Sequence, residues 1–398
     1  MPFIPVKRIS KRNQIVIYPL KLYISLVISI TFTFVIHAGD IEIAQWPFFK
    51  NAAVSITLDD NLPGQFTYAL PALAKRDIQA TFFTITQTAD WNMICRASAE
   101  GHEIGSHTKT HADMTSGGIS LLDELKRSKN EIQAHIAPQH CVSFAWPFSH
   151  SDRTLYEYLD KYYIAGRSWR QGIENASPED MFTVNSIDMD KAPAADLQKQ
   201  IDTLRMRAGW LVLLYHEIGP DALETDPALF AQHLDILNAN RADFWIAPFG
   251  SVAQYVQERQ ALNAAVIRTT SSAMTIYLQN TLEIASGPIP LTMKVKLPSG
   301  WNQVTVCQKG LILPHRFNSG HIEFEGAPLT GEITIFRQLE STSIAASPAV
   351  SKMKHIGTGI SNKPVQLTGR SIQGALFNSS GTIVIPKSSQ NTYHHFLF

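Results

Sequence analysis

Two histidines and two aspartates have the residue types and the spacing of a metal site. His107 and His111 stand four positions apart, and the adjacent pair Asp59 and Asp60 precedes them in the chain. One carboxylate and two imidazoles form a ligand set that suits a divalent cation such as zinc and leaves a position open for water. The second carboxylate is then free to act as a base on that water. The spacing of the histidines predicts that both rings lie on one face of a helical turn.

The sequence around each motif favours a functional site over a surface feature. Adjacent aspartates are commonly part of a solvated turn, and histidines four apart are commonly exposed, so neither motif is specific by itself. Here the aspartates end the apolar run Ala52–Thr57, which is typical of a buried strand, and His107 follows a second short strand at His102–Ser106. Both motifs therefore stand where strands end and loops begin, which is where α/β folds place their chemistry.

Short apolar runs alternate with helical patterns from residue 50 to about residue 260. This alternation predicts a parallel sheet, and the number of repeats predicts closure into an irregular (β/α)7-type barrel over residues 40–262. An open doubly wound sheet is the alternative, although no glycine-rich phosphate loop follows any strand. The predicted strands are Ala52–Thr57, Ala80–Ile85, His102–Ser106, Val142–Ala145, Tyr163–Gly166, Val184–Ile187, Leu211–Tyr215 and Phe244–Ala247. The predicted helices are Thr67–Arg76, Leu121–His135, Ala194–Arg207, Pro227–Asn240 and Phe249–Gln260.

Residues 263–338 have a different pattern, in which β-rich segments are separated by Pro, Gly and Asn turns. They predict a small all-β domain, an antiparallel sandwich that braces the barrel. If this domain binds carbohydrate instead, Trp301 is its candidate contact. Residues 339–398 begin as a Ser/Ala-rich linker and continue as a tail that is either weakly ordered or a sorting domain. The β-rich segments are Met274–Leu278, Leu291–Leu297, Gln303–Val306 and Glu332–Phe336.

Residues 1–39 have the composition of a secretory signal. Several Lys and Arg residues precede a charge-free run from Leu22 to Ile36, and small residues follow at Ala38 and Gly39. An uncleaved membrane anchor is the alternative, because the apolar segment could be long enough to span a bilayer. The protein is therefore expected to be exported, whether secreted, at the cell surface or periplasmic, and any membrane association would arise through this segment.

The charge balance and the cysteines narrow the classes of partner and of site. The chain has 34 Lys and Arg against 34 Asp and Glu, and this balance argues against nucleic acid as a partner. No pattern indicates the oligomeric state. Cys95, Cys141 and Cys307 are too few and too scattered for a thiolate metal site. The first two could form a disulfide in an exported protein or remain two buried thiols.

The order of the motifs, completed by His216 after the apolar run Leu211–Tyr215, resembles that of polysaccharide deacetylases. From about residue 45 to 260 the chain resembles the NodB-homology class of these enzymes, carbohydrate esterase family 4, most specifically in the segment Gly101–His107. The resemblance implies an irregular (β/α) barrel, one divalent metal ion with zinc as the first choice, and a polysaccharide or oligosaccharide substrate. It also implies the roles of the site residues, with Asp60, His107 and His111 as metal ligands, Asp59 as general base and His216 as general acid.

The chemistry of amide hydrolysis agrees with these roles. An acetamide is a poor electrophile, so its hydrolysis needs a nucleophilic water, a Lewis acid on the carbonyl oxygen and a proton for the departing amine. His216 suits the last task because imidazole titrates near working pH. We therefore predict metal-dependent hydrolysis of N-acetyl groups on a polysaccharide that contains N-acetylhexosamine. The alternatives are an O-acetyl esterase of the acetylxylan type and a non-catalytic glycan-binding surface protein.

The third motif of the family departs from its usual pattern. Ala145 stands where the family has an arginine that holds the base, and Ser149 replaces a glycine. The candidates for the arginine's task are Arg167 and Arg170, which follow the next strand. In the same motif Phe148 is expected to contribute its backbone N–H as an oxyanion donor.

The fourth motif and the tryptophans leave further alternatives. The family has an aspartate that orients the acid histidine, and Asp188 is preferred over Asp190 for this role. Trp146 lies inside the third motif, so its ring could stack on a sugar, although most tryptophans are partly buried core residues. Trp169 and Trp210 are weaker candidates for the same contact.

Overall fold

The computed structural model describes residues 40–221, 225–282 and 286–338. All of them lie in one structural unit. The predicted signal or anchor at residues 1–39 and the predicted linker and tail at residues 339–398 lie outside the described residues. Within the part of the chain that is described, no helix is long and apolar enough to cross a membrane.

A curled parallel sheet of eight strands forms the first part of the described chain. It follows the short strand β1 (Ile41–Ile43), and its strands alternate with helices as the sequence predicts. The strands are β2 (Ala52–Asp59), β3 (Thr81–Thr84), β4 (Glu103–Ser106), β5 (Ser143–Ala145), β6 (Ala165–Arg167), β7 (Ile187–Asp188), β8 (Trp210–Tyr215) and β9 (Phe244–Ile246). The helices are α1 (Leu70–Ala74), α2 (Trp91–Ala99), α3 (Ser128–Ile136), α4 (Tyr156–Leu159), α5 (Ala194–Arg207), α6 (Pro227–Ala239) and α7 (Phe249–Ala261).

The order of the strands shows how the sheet curls. It is β6-β5-β4-β3-β2-β8-β7, with β9 also paired to β2, and all of these pairings are parallel. A parallel bridge between Arg167 and Val184 joins the edge strand β6 to the segment that leads into β7. The sheet therefore turns back on itself. This confirms the predicted barrel-type fold and excludes the open doubly wound alternative.

Local sequence accounts for the ends and the buried faces of the helices. Asp90 and Asp226 cap α2 and α6, because each carboxylate accepts hydrogen bonds from two N–H groups of the first helical turn. In α5 the apolar stripe of Leu197, Ile201 and Leu204 is fully buried. Helices cover the sheet in this way, so the carboxyl ends of the strands remain available for polar side chains.

Antiparallel strands form two further sheets after α7. They are β10 (Leu262–Thr269), β11 (Ala273–Asn280), β12 (Leu291–Lys296), β13 (Val304–Gln308), β14 (Leu311–Leu313), β15 (His315–Asn318), β16 (His321–Gly326) and β17 (Gly331–Arg337). One sheet has the order β1-β12-β16-β15 and the other the order β10-β11-β17-β13-β14. Buried side chains of both sheets share one apolar core with residues of the barrel.

The first strand pairs with the antiparallel region. Ile41 lies opposite Val295 and Ile43 lies opposite Met293, on β12. The predicted domain boundaries place these residues with the barrel, whereas the pairing places them in a sheet formed by the other end of the described chain. A three-residue strand carries too little pattern to reveal so distant a partner, because its register is fixed only by tertiary packing.

Burial decides two further points in this part of the molecule. Trp301 is 3% exposed and belongs to the shared apolar core, so its candidate role as a carbohydrate contact is wrong. All three cysteines are free thiols, so Cys95 and Cys141 do not form a disulfide. The antiparallel region thus packs on the barrel as a brace, and its tryptophan contributes to that packing.

Candidate active site

The end of β2 brings both aspartates to one place. In a regular strand two successive side chains point to opposite faces. Here Asp60 has a φ of 74°, a left-handed conformation that aspartate tolerates better than most residues. As a result, Asp59 Oδ2 lies 3.7 Å and Asp60 Oδ1 lies 3.5 Å from the same atom, His107 Nε2. The turn in the backbone allows two adjacent carboxylates to serve one site.

The two histidines meet through a loop. Their ring centroids are 4.8 Å apart and their planes are inclined at 65°. The segment between them is not a helical turn, because Thr108 and His111 have φ angles of 66° and 60° in the left-handed region. The prediction of a shared helical face is therefore wrong, although its consequence, two adjacent imidazoles, is met by a different backbone.

Glu124, which the sequence analysis did not single out, holds this loop. One carboxylate oxygen accepts hydrogen bonds at 2.9 Å from the N–H groups of Lys109 and Thr110, and the other accepts one from the Thr110 hydroxyl. The side chain is largely buried, so these bonds are shielded from competition by water. No local signal marks Glu124, because it lies on the helical segment that follows the loop.

The cluster of Asp60, His107 and His111 fits a divalent cation. One ligand atom from each residue lies within 4.8 Å of the others. Asp60 Oδ1 is 3.5 Å from Nε2 of each histidine, is buried, and has no hydrogen-bond partner among the described residues. Burial lowers the pKa of His107 to about 3, so its imidazole is neutral. Its Nδ1 lies 2.9 Å from the Ala145 carbonyl, which assigns the proton to Nδ1 and the lone pair to Nε2.

Arg167 supplies the ion pair to Asp59. Its Nη2 donates to Asp59 Oδ2, and both side chains are almost completely buried. The strand register explains how Arg167 can replace the arginine that the family has at position 145. Ala145 on β5 pairs with Arg167 on β6. The guanidinium therefore comes from the neighbouring strand at the height where the family's arginine is expected. The other candidate, Arg170, is exposed.

The second oxygen of Asp59 is available for chemistry. Asp59 Oδ1 is buried and has no hydrogen-bond partner among the described residues. A buried carboxylate oxygen without a partner costs free energy, and such atoms in native proteins commonly have a functional explanation. With Oδ2 held by Arg167, Oδ1 is the carboxylate oxygen left without a partner among the described residues.

His216 lies beside Asp59 on the neighbouring strand. The parallel pairs between β2 and β8 end at Leu58 and Tyr215, so the next pair in register is Asp59 and His216. Asp190 holds the histidine twice, since its carboxylate accepts from His216 N–H at 3.0 Å and lies 2.6 Å from His216 Nδ1. This hydrogen bond to Asp190, opposed by burial and supported by the charge of Asp59, raises the pKa of His216 to about 9.

The preference for Asp188 as the residue that orients the acid is wrong. Asp188 pairs with Leu214 in the parallel register of β7 and β8, so the residue level with His216 is Asp190. Asp188 has an indirect part, because its Oδ1 accepts a 2.9 Å hydrogen bond from the Asp190 N–H. The sequence offers both aspartates, and only the register distinguishes them.

The aromatic residues of the third motif have different surroundings. Trp146 is 1% exposed and donates its indole N–H to the Phe182 carbonyl at 2.7 Å, so the prediction that it stacks on a sugar is wrong. Phe148 is 58% exposed, and its ring centroid lies 4.5 Å from that of His111. Ser149 has a φ of 58°, which accounts for the glycine that the family has there. Trp169, two residues beyond the end of β6, is 48% exposed.

Comparison with known proteins finds a family match in the region of the first motifs. Residues 49–165 match the family model for polysaccharide deacetylase. The chain is 35% identical to a peptidoglycan-N-acetylglucosamine deacetylase from Bacillus cereus over 69 residues, which are 17% of this chain and 25% of that protein. It is 24% identical to a gellan lyase from a Bacillus species over 349 residues, which are 79% of this chain and 14% of that protein. The chain thus spans a quarter or less of the length of these curated relatives.

Two solved structures are also similar. One is a peptidoglycan deacetylase from Bacillus subtilis, with 18% identity, a TM-score of 0.37, and coverage of 53% of this chain and 94% of that one. The other is the Xyl-CE4 domain of a multidomain xylanase from the hindgut metagenome of Trinervitermes trinervoides, with 18% identity, a TM-score of 0.38, and coverage of 53% and 92%.

The family match covers Asp59, Asp60 and the two histidines, and it ends before Arg167, Asp190 and His216. The first group is therefore assigned by sequence and geometry together, and the second by geometry. Residues 49–165 are thus similar in sequence to the polysaccharide deacetylase family.

Proposed function

We propose that this protein is a metal-dependent deacetylase that hydrolyses N-acetyl groups on a polysaccharide containing N-acetylhexosamine. The observation that carries the proposal is the assembly of three kinds of group at one edge of the sheet. They are a set of three cation ligands, a carboxylate with an unpartnered oxygen, and a histidine held by a second carboxylate. These are the groups that hydrolysis of an acyl bond requires.

Asp60, His107 and His111 would hold the cation. When bound there, a divalent cation would polarise the acyl carbonyl and make an adjacent water more acidic. Zinc is the first choice, because one carboxylate and two imidazoles suit a borderline cation and leave coordination positions open. Asp59 stays outside this set, since Arg167 holds one of its oxygens.

The base and the acid act from adjacent strands. Asp59 Oδ1 accepts the proton of the attacking water, while Arg167 fixes the orientation of the carboxylate. His216 is protonated at neutral pH because its pKa is raised to about 9, and it donates a proton to the leaving nitrogen. The backbone N–H of Phe148, whose ring lies beside that of His111, would donate to the acyl oxygen.

The protonated histidine favours an N-acetyl over an O-acetyl substrate. An amine leaves only after it has gained a proton, whereas an alkoxide leaves more readily, so a firmly protonated acid is needed more in amide hydrolysis. The name of the Bacillus cereus relative, a peptidoglycan-N-acetylglucosamine deacetylase, supports the same choice. The gellan lyase match covers 14% of that protein, so its lyase activity need not reside in the matched part.

The test is acetate release by the purified, metal-loaded full chain. Chitooligosaccharides, peptidoglycan, gellan and acetylxylan are assayed side by side, with Asp59→Asn as the inactive control. Acetate and free amine from an N-acetylated substrate, lost in the variant, support the proposal. Acetate from acetylxylan alone would assign an O-acetyl esterase. Failure on every substrate, together with no stoichiometric divalent metal, would leave a non-catalytic glycan-binding protein.

We also propose that the protein is exported, because acetylated polysaccharides of the cell wall lie outside the membrane. The amino-terminal segment with its basic residues and the charge-free run Leu22–Ile36 supports this. Cell fractionation with a carboxyl-terminal tag tests it, and the size of the tagged product separates a cleaved signal from an anchor. Recovery of the full-length product in the cytosol would contradict export.

A further inference from the structure

The carboxyl ends of β2 and β8 carry the proposed base and acid, and one buried side chain joins them. Asp59 and His216 are the first pair in register beyond the last ladder pair of these two strands. The Gln65 side-chain amide nitrogen donates to the Asp59 carbonyl and, at 2.9 Å, to the His216 carbonyl. The amide thus spans the two strands at the point where their own hydrogen-bond ladder ends.

The orientation of this amide is fixed by its two partners. Both are carbonyl oxygens, which only accept hydrogen bonds, so the nitrogen and not the oxygen of Gln65 must face them. Its own oxygen, Oε1, is buried and has no donor among the described residues. An unpartnered buried amide oxygen is destabilising. Gln65 therefore keeps its two contacts at a cost in stability, as residues at functional sites commonly do.

A second contact joins the same two loops. The Gly64 N–H donates to Glu217 Oε1 at 2.6 Å. A Cβ on Gly64 would overlap the Ile218 carbonyl, so only glycine permits this approach of the loops that follow β2 and β8. Gly64 is directly beside Gln65 in the chain. The contacts of both residues therefore fix the separation between the loops that follow β2 and β8.

We propose that Gln65 is a positioning residue that sets the distance and orientation between Asp59 and His216 by replacing the missing rung between their strands. The proposal deepens the function proposed above and rests on the assignment of these two residues as base and acid. Gln65 reaches the backbone of both residues and acts through them, because its amide donates to their carbonyl oxygens. Catalysis is sensitive to such placement, since a displacement of about 1 Å can cost about 100-fold in rate.

The test compares Gln65→Met and Gln65→Glu with a control at Gln254. Methionine keeps the size and removes both donors, whereas glutamate keeps the shape and removes at least one donor. Gln254 is also a buried glutamine whose amide donates to Glu258 and to the Gly287 carbonyl, on α7 and away from the strand ends. Gln254→Met therefore reproduces the loss of a buried amide without touching the site.

The steady-state kinetics and the pKa of His216 are measured below the unfolding temperature of every variant. The metal content of each variant is checked. We expect both Gln65 variants to lower kcat by about 10- to 100-fold with KM unchanged, because orientation is lost while binding contacts remain. The pKa of His216, followed by NMR of histidine-labelled protein, should fall toward its ordinary value as its hold on Asp190 loosens. Asp190, Asp59 and Asp60 are the charged groups that act on this imidazole. Gln254→Met should lower the unfolding temperature and leave both readouts unchanged.

The outcomes separate this proposal from the function on which it rests. If kcat and the pKa of His216 in the Gln65 variants equal those of the wild type, the positioning role is wrong. If the wild type releases no acetate from any substrate, the proposed function fails. The NMR comparison then still decides whether Gln65 controls the environment of His216.

Discussion

Two adjacent aspartates have different partners at the site, and the roles proposed for them differ accordingly. Asp60 has a buried oxygen that faces two imidazole nitrogens, whereas Asp59 has one oxygen held by a guanidinium and one without a partner. The chemical type is identical, so the roles follow from the surroundings. The same holds for the histidines, because burial keeps the His107 imidazole neutral while Asp190 keeps that of His216 protonated.

Arg167→Lys tests the ion pair of the base. Lysine keeps the positive charge but is a compact ammonium that cannot reproduce the planar guanidinium, so Asp59 should lose its orientation. We expect kcat to fall by about 10- to 100-fold while metal affinity is retained. The matched control is Arg170→Lys, which changes an exposed arginine three residues further along the chain, beyond the end of β6. Equal kcat values for the two variants would show that Arg167 does not orient the base.

Asp190→Asn tests the acid through its pH dependence. The hydrogen bond to Asp190 is the largest of the effects that raise the pKa of His216 from 6.5 to about 9, so the proton donor is present below that pH and lost above it. In the variant the alkaline limb of kcat/KM should move from about pH 9 toward 6.5, because an amide holds the imidazolium less firmly. The free energy of unfolding should depend on pH in the same direction. The contribution of the His216–Asp190 pair to it is complete below pH 6.5 and disappears as the pH rises through about 9.

The control for this pH profile is Asp196→Asn in the first turn of α5, outside the described contacts of the site. It should leave the alkaline limb unchanged. A limb that stays in place in Asp190→Asn would mean that another group sets the upper pH limit of activity.

At the scale of elements, the loop from His107 to His111 depends on one carboxylate outside it. Glu124 accepts three hydrogen bonds from Lys109 and Thr110, and the loop contains two residues in left-handed conformations. Such conformations are costly for residues other than glycine and persist only where the surroundings enforce them. Glu124 is therefore expected to preorganise the pair of histidine ligands.

Glu124→Gln should weaken metal binding by about 10- to 100-fold, the range observed when supporting partners of metal ligands are removed. The amide nitrogen of glutamine cannot accept hydrogen bonds, so one side of the loop loses its acceptor. Isothermal titration with Zn²⁺ measures the effect, and the exposed Glu157→Gln serves as control. An unchanged affinity would show that the loop keeps its shape without Glu124.

At the scale of the whole molecule, the site lies at the carboxyl ends of strands that the rest of the fold holds in place. β2 pairs with β3, β8 and β9 and is buried along its length. The antiparallel sheets share an apolar core with the barrel and recruit β1 from the other end of the described chain. Binding of a cation to the folded state should therefore stabilise the entire unit.

Addition of Zn²⁺ should raise the free energy of unfolding by about 2.7 kcal/mol when the free metal is about 100 times its Kd. A thermal unfolding series with added Zn²⁺ or with a chelator measures this. Asp60→Ala should abolish the shift, whereas His321→Ala, at a half-buried histidine on β16, should retain it. If added divalent metal does not change the unfolding temperature of the wild type, the result would contradict the cation site.

The sequence by itself determined the residues whose local context is informative. Asp59 and Asp60 end an apolar run, His107 and His111 follow a short strand, and His216 ends another apolar run. Periodicity over a few residues predicts a strand, and the end of a strand in a parallel sheet predicts a site. The alternation of strands and helices likewise determined the fold class.

Only the tertiary structure decided which distant residues complete the site. Arg167 faces Asp59 because β6 pairs with β5 in a register that sets Arg167 opposite Ala145. Asp190 reaches His216 because β7 pairs with β8 in a register that sets Asp188 opposite Leu214. A shift of register by one residue would reverse the face of every side chain, and local sequence does not encode the register between separate strands. Gln65 and Glu124 were decided in the same way, since most of their partners are backbone groups, which carry no sequence signal.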